Sequence, residues 1–526
     1  MIGTVEIFVG MLLAVAALAL LARRLHIPYP ILFVIGGLLL ALLPGVPRVH
    51  LNPELVFLFF LPPLLYPAAL FTSWRDFRLN LRPISLLAVG LVLITTVAIA
   101  FLAHYFMNLP LAAGFVLGAI VSPPDAIAAT AIAQRLRVPP RIVTVLEGES
   151  LVNDATALVA YRFAIAAVAT GSFSLAEASV KFFVVCCGGI VLGLIIGRLA
   201  EWFHKHVQDA PIEITVSLLT PFAAYLPAER LGCSGVLAVV STGLYLGWRL
   251  PEITNFQTRL DARPVWETVE FILNGFVFVL IGLQLPTVLH AASKGGLSSS
   301  QLIFYALLIS LAVIIVRIIW VFPATYLPRL LFKSIRKKDP CPSWKHVTIV
   351  AWTGMRGVVS LAAAMALPET KADGSPFPGR DLILFLSFVI ILATLVLQGL
   401  SLPPLIRWLG VEDDDSLAHE EREARLAANK AALARLQQIG EKDPAKADAL
   451  KRLRIEYEDR IRQLEATEAD RSNRRLRLFS EEYDRLSREA LKQERETILD
   501  LRNKEVINDE VLRRIQKDID LAEARL

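Results

Sequence analysis

Predominantly apolar runs recur from Ile2 to Arg407; Val5 to Ala22, Ile84 to Leu102, Phe182 to Ile196 and Leu302 to Trp320 are examples. A run of about 18 or more such residues is long enough to cross a bilayer as a helix. The runs predict about thirteen transmembrane helices, centred near Leu13, Ile35, Leu61, Leu93, Gly118, Ala157, Gly189, Leu219, Val239, Val277, Ala312, Val359 and Leu392. The first run lacks a basic leader and is followed by further spans, so it reads as a helix rather than a signal peptide.

The positions of Lys and Arg orient these spans. Odd-numbered loops carry Arg23, Arg24, Arg75, Arg78, Arg82, Arg135, Arg137, Arg141, Arg198, Lys205, Arg249, Arg259 and Arg263, then Arg329 and the basic stretch through Lys345. Even-numbered loops hold only Arg48, Lys181, Arg230, Lys294, Lys371 and Arg380. Basic residues collect on the cytoplasmic side, which puts the N-terminus outside and the C-terminus in the cytoplasm of a multi-pass protein of the cell (inner) membrane.

The pattern changes after Arg407. Glu412 to Asp415 form an acidic run, and the rest is rich in Ala, Leu, Glu and Arg. Leu453, Tyr457, Ile461 and Leu464 recur at helical spacing, and Asp443-Pro444 and Ser472-Asn473 read as breaks between helices. The chain therefore divides into a transmembrane domain, 1–410, and a cytoplasmic helical domain, 411–526, suited to a bundle or a dimerising element. Composition supports this division. Residues 411–526 carry 25 Lys/Arg against 29 Asp/Glu, so the overall charge of +5 splits into +9 for residues 1–410 and −4 for the tail. With 55% hydrophobic and only 20% charged residues, the chain is too apolar for a soluble protein of this length, and nothing calls for nucleic acid. Cys186, Cys187, Cys233 and Cys341 have spacing that fits neither a zinc site nor a disulfide framework.

Ionisable residues inside apolar spans are costly and mark functional sites by default. The fifth span contains Ser122-Pro-Pro-Asp125. Two prolines in mid-span break the helix, and broken backbone at membrane depth is tolerated only in protein or beside a cavity. Asp125 starts the second half-helix, where the dipole favours a carboxylate; an N-cap in a packed core is the plain alternative. In the sixth span, Glu149 and Asn153 share one helix face, and Ser150 and Asp154 share the next. These oxygen donors suit a hard cation. Asp154 lies about 20 Å along the helix from Arg141, away from the solvated helix start. The twelfth span reads Thr353-Gly354-Met355-Arg356-Gly357, where glycines predict a second break. Arg356 needs a partner, and Glu149 is the obvious one; snorkelling to the interface is the alternative. Arg317 in the eleventh span has no assigned partner, and a structural ion pair or snorkelling suits it better than a role in transport. Interrupted spans in each half point to an inverted-repeat transporter with its site between them.

At these residues the chain resembles the sodium/proton exchanger branch of the monovalent cation:proton antiporter superfamily, over roughly residues 5–408. Ser122-Pro-Pro-Asp125-Ala, Glu149-Ser-Leu-Val-Asn153-Asp154 and Gly354-Met-Arg356-Gly357 carry the resemblance, with Asp125 and Asp154 29 residues apart. The stretch from Glu267 to Leu285, with Leu273-Asn-Gly275 and Ile281-Gly-Leu-Gln284, is similar to the bacterial members. The resemblance implies an all-α membrane protein with inverted repeats, two crossed discontinuous helices and a homodimeric assembly. It implies that Asp154 is the ion- and proton-binding carboxylate, Ser150 a side-chain ligand to Na+, and Asp125 a direct or water-mediated ligand. The Pro124 carbonyl would face the site, Asn153 would organise it, and Glu149 with Arg356 would form a structural ion pair. Two departures stand out: family members often have Thr at the position of Pro124, and some carry a carboxylate after a Leu-Pro-Pro motif, where Leu61-Pro-Pro63 is followed by none.

The activity implied is secondary antiport of Na+, or Li+, against H+, serving sodium transport and pH homeostasis. Cation and proton compete for Asp154, and a lone Asp beside Asn153 implies electroneutral one-for-one exchange. K+/H+ exchange is the alternative substrate reading. A channel would need a filter loop, a sensor would need an output motif in the tail, and an enzyme would need a catalytic set; no Ser-His-Asp set, P-loop or metal-spaced His cluster is visible. No cofactor is implied beyond the transported ions.

Overall fold

The computed structural model describes residues 2–25, 27–43, 58–171, 175–294, 297–371, 374–412, 416–442, 447–465, 474–504, 506 and 509–523. Arg48, the acidic run at 413–415 and the proposed breaks at Asp443-Pro444 and Ser472-Asn473 lie outside these residues. Among the described residues all regular secondary structure is helical apart from one isolated bridge, Thr370 to Pro376. It forms two compact units, Met1–Asp414 and Asp415–Leu526.

The first unit begins with α1 (Ile2–Leu25), α2 (Tyr29–Ala41), α3 (Leu61–Leu70), α4 (Trp74–Leu79) and α5 (Leu81–Ser85). A π-helical stretch, Leu86–Leu91, leads into α6 (Val92–Met107). Next come α7 (Leu111–Val121), α8 (Ile127–Arg135), α9 (Pro140–Thr170), α10 (Leu175–His206), α11 (Ala210–Arg230) and α12 (Gly235–Ile253). The unit closes with α13 (Phe256–Lys294), α14 (Ser299–Leu331), α15 (Lys333–Lys338), α16 (Trp344–Trp352), α17 (Val358–Met365) and α18 (Arg380–Leu409). Every predicted span centre falls within a helix. Among the described residues, seven helical stretches are long and apolar enough to cross a membrane, and α2, α3 and α7 are shorter apolar helices.

Burial sorts these helices. α1 and α10 expose most of their apolar surface, whereas α13 and α18 bury most of theirs. Exposed Phe183, Val184, Val191, Ile195 and Leu199 along α10 are an unsuitable surface for water and a good one for lipid. The inner helices pack closely where side chains vanish. A Cβ built on Gly37 of α2 would stand 2.1 Å from the Val279 carbonyl oxygen of α13, so only glycine permits that crossing.

Two interruptions are legible as local chemistry. α7 stops at Val121, followed by Pro123 and Pro124, which have no amide hydrogen to continue the ladder. α16 stops at Trp352, and residues 353–357 run irregularly to α17.

The second unit contains α19 (Ser416–Lys442), α20 (Ala447–Glu465), α21 (Arg474–Asn503) and α22 (Asp509–Glu523). Ile498, Leu512 and Ile519 are buried between α21 and α22, with Leu491, Leu499 and Ile515 packed around them. Arg495 of α21 reaches Asp520 at 2.6 Å and Glu523 at 2.7 Å on α22. Lys430 of α19 meets Glu465 of α20 at 2.6 Å. These exposed pairs set register more than they stabilise.

Candidate functional site

The two interruptions meet. The Asp125 amide donates to the Met355 carbonyl at 2.6 Å, joining one break directly to the other. The Asp125 carboxylate accepts from the Ile127 amide at 2.8 Å and lies against the start of the other second-half helix, beside Gly357 and within electrostatic reach of the Val358 amide. One carboxylate thus serves the first turn of both second-half helices, α8 and α17. Helix N-termini carry unsatisfied N–H groups and a positive end of the dipole, so an anion there is favourable. Gly357 makes this approach possible, because a Cβ on it would lie 1.7 Å from an Asp125 carboxylate oxygen.

The opposite ends carry the opposite charge. The Arg356 Nε donates to the Val121 carbonyl, where α7 ends, at 3.0 Å. A second nitrogen of the same guanidinium donates to the Gly354 carbonyl. Arg317 of α14 donates to the Val350 carbonyl in the last turn of α16 at 3.0 and 3.2 Å. Each first-half helix therefore ends on an arginine, which suits orphan carbonyls and the negative dipole end.

This arrangement corrects one expectation. Glu149 pairs with Arg317, not with Arg356: the two oxygens of Glu149 take Arg317 nitrogens at 2.5 and 2.9 Å, with both side chains almost fully buried. The physical reason is that Arg356 is drawn onto carbonyls at the break itself, while Arg317 presents the flat edge of its guanidinium to the carboxylate in the bidentate manner that makes such pairs strong. Arg317, left without a partner by sequence reasoning, is the residue that anchors Glu149. Its signal was its isolation in an apolar span; its partner lies 168 positions away.

The remaining expected residues come together on α9, beside the first break. Asn153 donates its amide to the Pro124 carbonyl at 2.8 Å, and its own carbonyl oxygen is buried with no hydrogen-bond partner among the described residues. The Pro124 carbonyl is thus already engaged by Asn153. The Ser150 hydroxyl accepts from the Ala126 amide at 3.4 Å. Asp154 is buried, 6% exposed, and lies close enough to Asp125 for the two carboxylates to interact. Among the described residues no hydrogen bond or ion pair reaches the Asp154 carboxylate. Buried oxygen donors without partners are what an oxygen-seeking cation or a proton can use.

Sequence reasoning also missed a half-buried rim. Glu270 of α13 and Tyr29 of α2 sit within electrostatic range of Asp125, and Glu147 of α9 sits within range of Glu270. Among the described residues neither glutamate has a cationic partner. Glu270 was hidden near the start of its span, where an acidic residue reads as interfacial.

The chain is similar to known proteins along its whole membrane region. The profile described as "Sodium/hydrogen exchanger, transmembrane" matches residues 10–408. An uncharacterized Na+/H+ exchanger of Mycobacterium tuberculosis is 37% identical over 525 residues, covering 99% of this chain and 96% of the relative. A sodium, potassium, lithium and rubidium/H+ antiporter of Bacillus subtilis is 38% identical over 412 residues, 75% of this chain and 60% of the relative. The solved sodium proton antiporter of Methanocaldococcus jannaschii superposes with a TM-score of 0.60 at 21% identity, over 77% of this chain and 99% of that one, which establishes the likeness of fold. The chain is a multi-pass membrane protein of the sodium/hydrogen exchanger family.

Proposed function

We propose that this protein is a monovalent cation/proton antiporter that exchanges Na+, or Li+, for H+ by competition at Asp154. The observation that carries the reading is the Asp154 carboxylate, without a hydrogen-bond or ion-pair partner among the described residues and held on a continuous helix against two broken ones. A bare carboxylate in a poorly hydrated pocket is stabilised by a bound cation or by a proton, but not by both at once. If only an occupied site crosses the membrane, that competition is sufficient for exchange.

In this reading Ser150, Asp125 and the Asn153 carbonyl supply further oxygens to the ion, and the Pro124 carbonyl, one lone pair of which holds the Asn153 amide, is a backbone contribution through the other. Asp125 and Arg356 neutralise the half-helix ends, so the crossing survives in a low-dielectric setting. Glu149 stays bound to Arg317 and takes no part in proton transfer. With Asn153 in place of a second acid, one proton exchanges for one cation and no net charge moves. Thirteen spans with inverted repeats, a homodimer in the lipid bilayer, a cytoplasmic tail over residues 411–526 and an external N-terminus complete the proposal. Alternating access would come from motion of the broken-helix core against the remaining helices.

K+/H+ exchange is the second reading. It is favoured by the broad cation range in the name of the Bacillus subtilis relative. Proteoliposomes holding a proton gradient, challenged in turn with Na+, Li+ and K+, separate the two readings. Dissipation by K+ alone would replace the substrate while leaving the mechanism. Removal of residues 416–526 tests the tail: a shifted pH profile assigns it regulation, and an unchanged profile assigns it assembly or stability.

A further inference from the structure

Just before the second broken helix begins, three arginines converge on one aspartate. Asp339, just after α15, takes Arg82 of α5 at 2.9 Å, Arg141 of α9 at 2.6 Å and Arg329 of α14 at 2.6 Å. Arg329 also donates to the Asp339 main-chain carbonyl at 3.3 Å, and Arg141 donates to the Asn80 side chain at 3.1 Å. Three guanidinium groups against one carboxylate leave an excess of two positive charges in a half-buried place. The Arg82 Nε is buried with no hydrogen-bond partner among the described residues.

A cavity of about 80 Å³ adjoins this cluster, with Arg141, Arg329, Thr325 and His346 on its polar side and Leu87 and Val145 among its apolar walls. A water molecule needs only about 10–15 Å³ by this measure, so a tetrahedral anion has room. Two helices, α9 and α16, begin at its wall, and the positive ends of their dipoles add to the arginine excess. A purely structural clamp needs neither a second unmatched charge nor an empty space beside it.

We propose that this basin binds a phosphate group, carried by inorganic phosphate or by the headgroup of an anionic phospholipid. Arg141 and Arg329 face the cavity and supply charge-assisted donors in the fork geometry that phosphate oxygens accept. Asp339 competes with the ligand for the same guanidinium groups. A bound phosphate bridges the start of α9, which carries Asp154, to α16, which leads into the second break. The proposal is independent of which cation the protein transports.

The test is direct binding to the purified full-length protein in phosphate-free detergent. Inorganic phosphate, dihexanoyl phosphatidylglycerol and dihexanoyl phosphatidylcholine are titrated separately. Saturable binding of phosphate and phosphatidylglycerol identifies a site for the free ion. Binding of phosphatidylglycerol alone identifies the lipid headgroup as the source. Arg141→Gln, at a position with a 45% exposed side chain, should weaken either ligand by about tenfold or more, since a charge-assisted bond is worth about that ratio. Asp339→Asn should tighten binding by removing the competitor; if that variant does not fold, Arg141→Gln decides alone. No saturable binding, an unchanged affinity in Arg141→Gln, or phosphatidylcholine binding as well as phosphatidylglycerol would overturn the proposal and leave a clamp around Asp339.

Discussion

Exchanging the partner of Glu149 from Arg356 to Arg317 has a measurable consequence. Both contacts of the pair are short, 2.5 and 2.9 Å, and neither side chain is more than 2% exposed. Truncating one member of a buried pair strands the other charge and costs about 3–5 kcal/mol. Glu149→Gln is especially severe here because it leaves Arg317 and Arg356 near one another with carbonyls as their only described acceptors. Arg317→Met should cost a similar amount by stranding Glu149. A double-mutant cycle on detergent-solubilised protein, read by denaturant or thermal unfolding, separates the pair from its surroundings. The coupling between positions 149 and 317 should be about 2 kcal/mol or more, in the range of close charge pairs. The coupling between 149 and 356 should be about 1 kcal/mol or less. A larger coupling to position 356 than to 317 would refute the assignment and restore the pairing suggested by the sequence.

Two further outcomes follow from the geometry. Gly357→Ala places a Cβ 1.7 Å from the Asp125 carboxylate; the variant should lose about 1–3 kcal/mol of stability and most of its transport, and wild-type proton movement by the folded variant would contradict the shared cap. Asn153→Asp adds a second acid beside Asp154 and removes the donor to Pro124, so exchange should become sensitive to membrane potential; a rate still indifferent to potential in proteoliposomes would remove the stoichiometric argument.

Much of the site could be read from the chain because each of its parts is a local exception. Paired prolines and paired glycines inside apolar spans announce broken helices, and the described breaks fall at 122–126 and 353–357. The spacing of Glu149, Ser150, Asn153 and Asp154 needs only a helix, and α9 supplies one. What the chain does not reveal is which charge answers which. Asp125 was legible as a cap for its own half-helix, but its service to α17 depends on how two segments more than 200 residues apart are laid together. Arg317 and Arg356 are both lone arginines in apolar spans, and only packing decides that one holds Glu149 while the other holds the end of α7. Asp339 and its three arginines were invisible for the same reason: basic loop residues mark orientation, and their convergence on one carboxylate is a tertiary fact.

In the proposed cycle one carboxylate, Asp154, alternates between cation and proton. The most direct measurement of this is Na+-driven proton movement in proteoliposomes containing the wild type or Asp154→Asn, with folding checked by gel filtration. Addition of Na+ or Li+ should dissipate the gradient in the wild type and do nothing in the variant. Cation-driven proton movement that survives in Asp154→Asn would contradict this cycle.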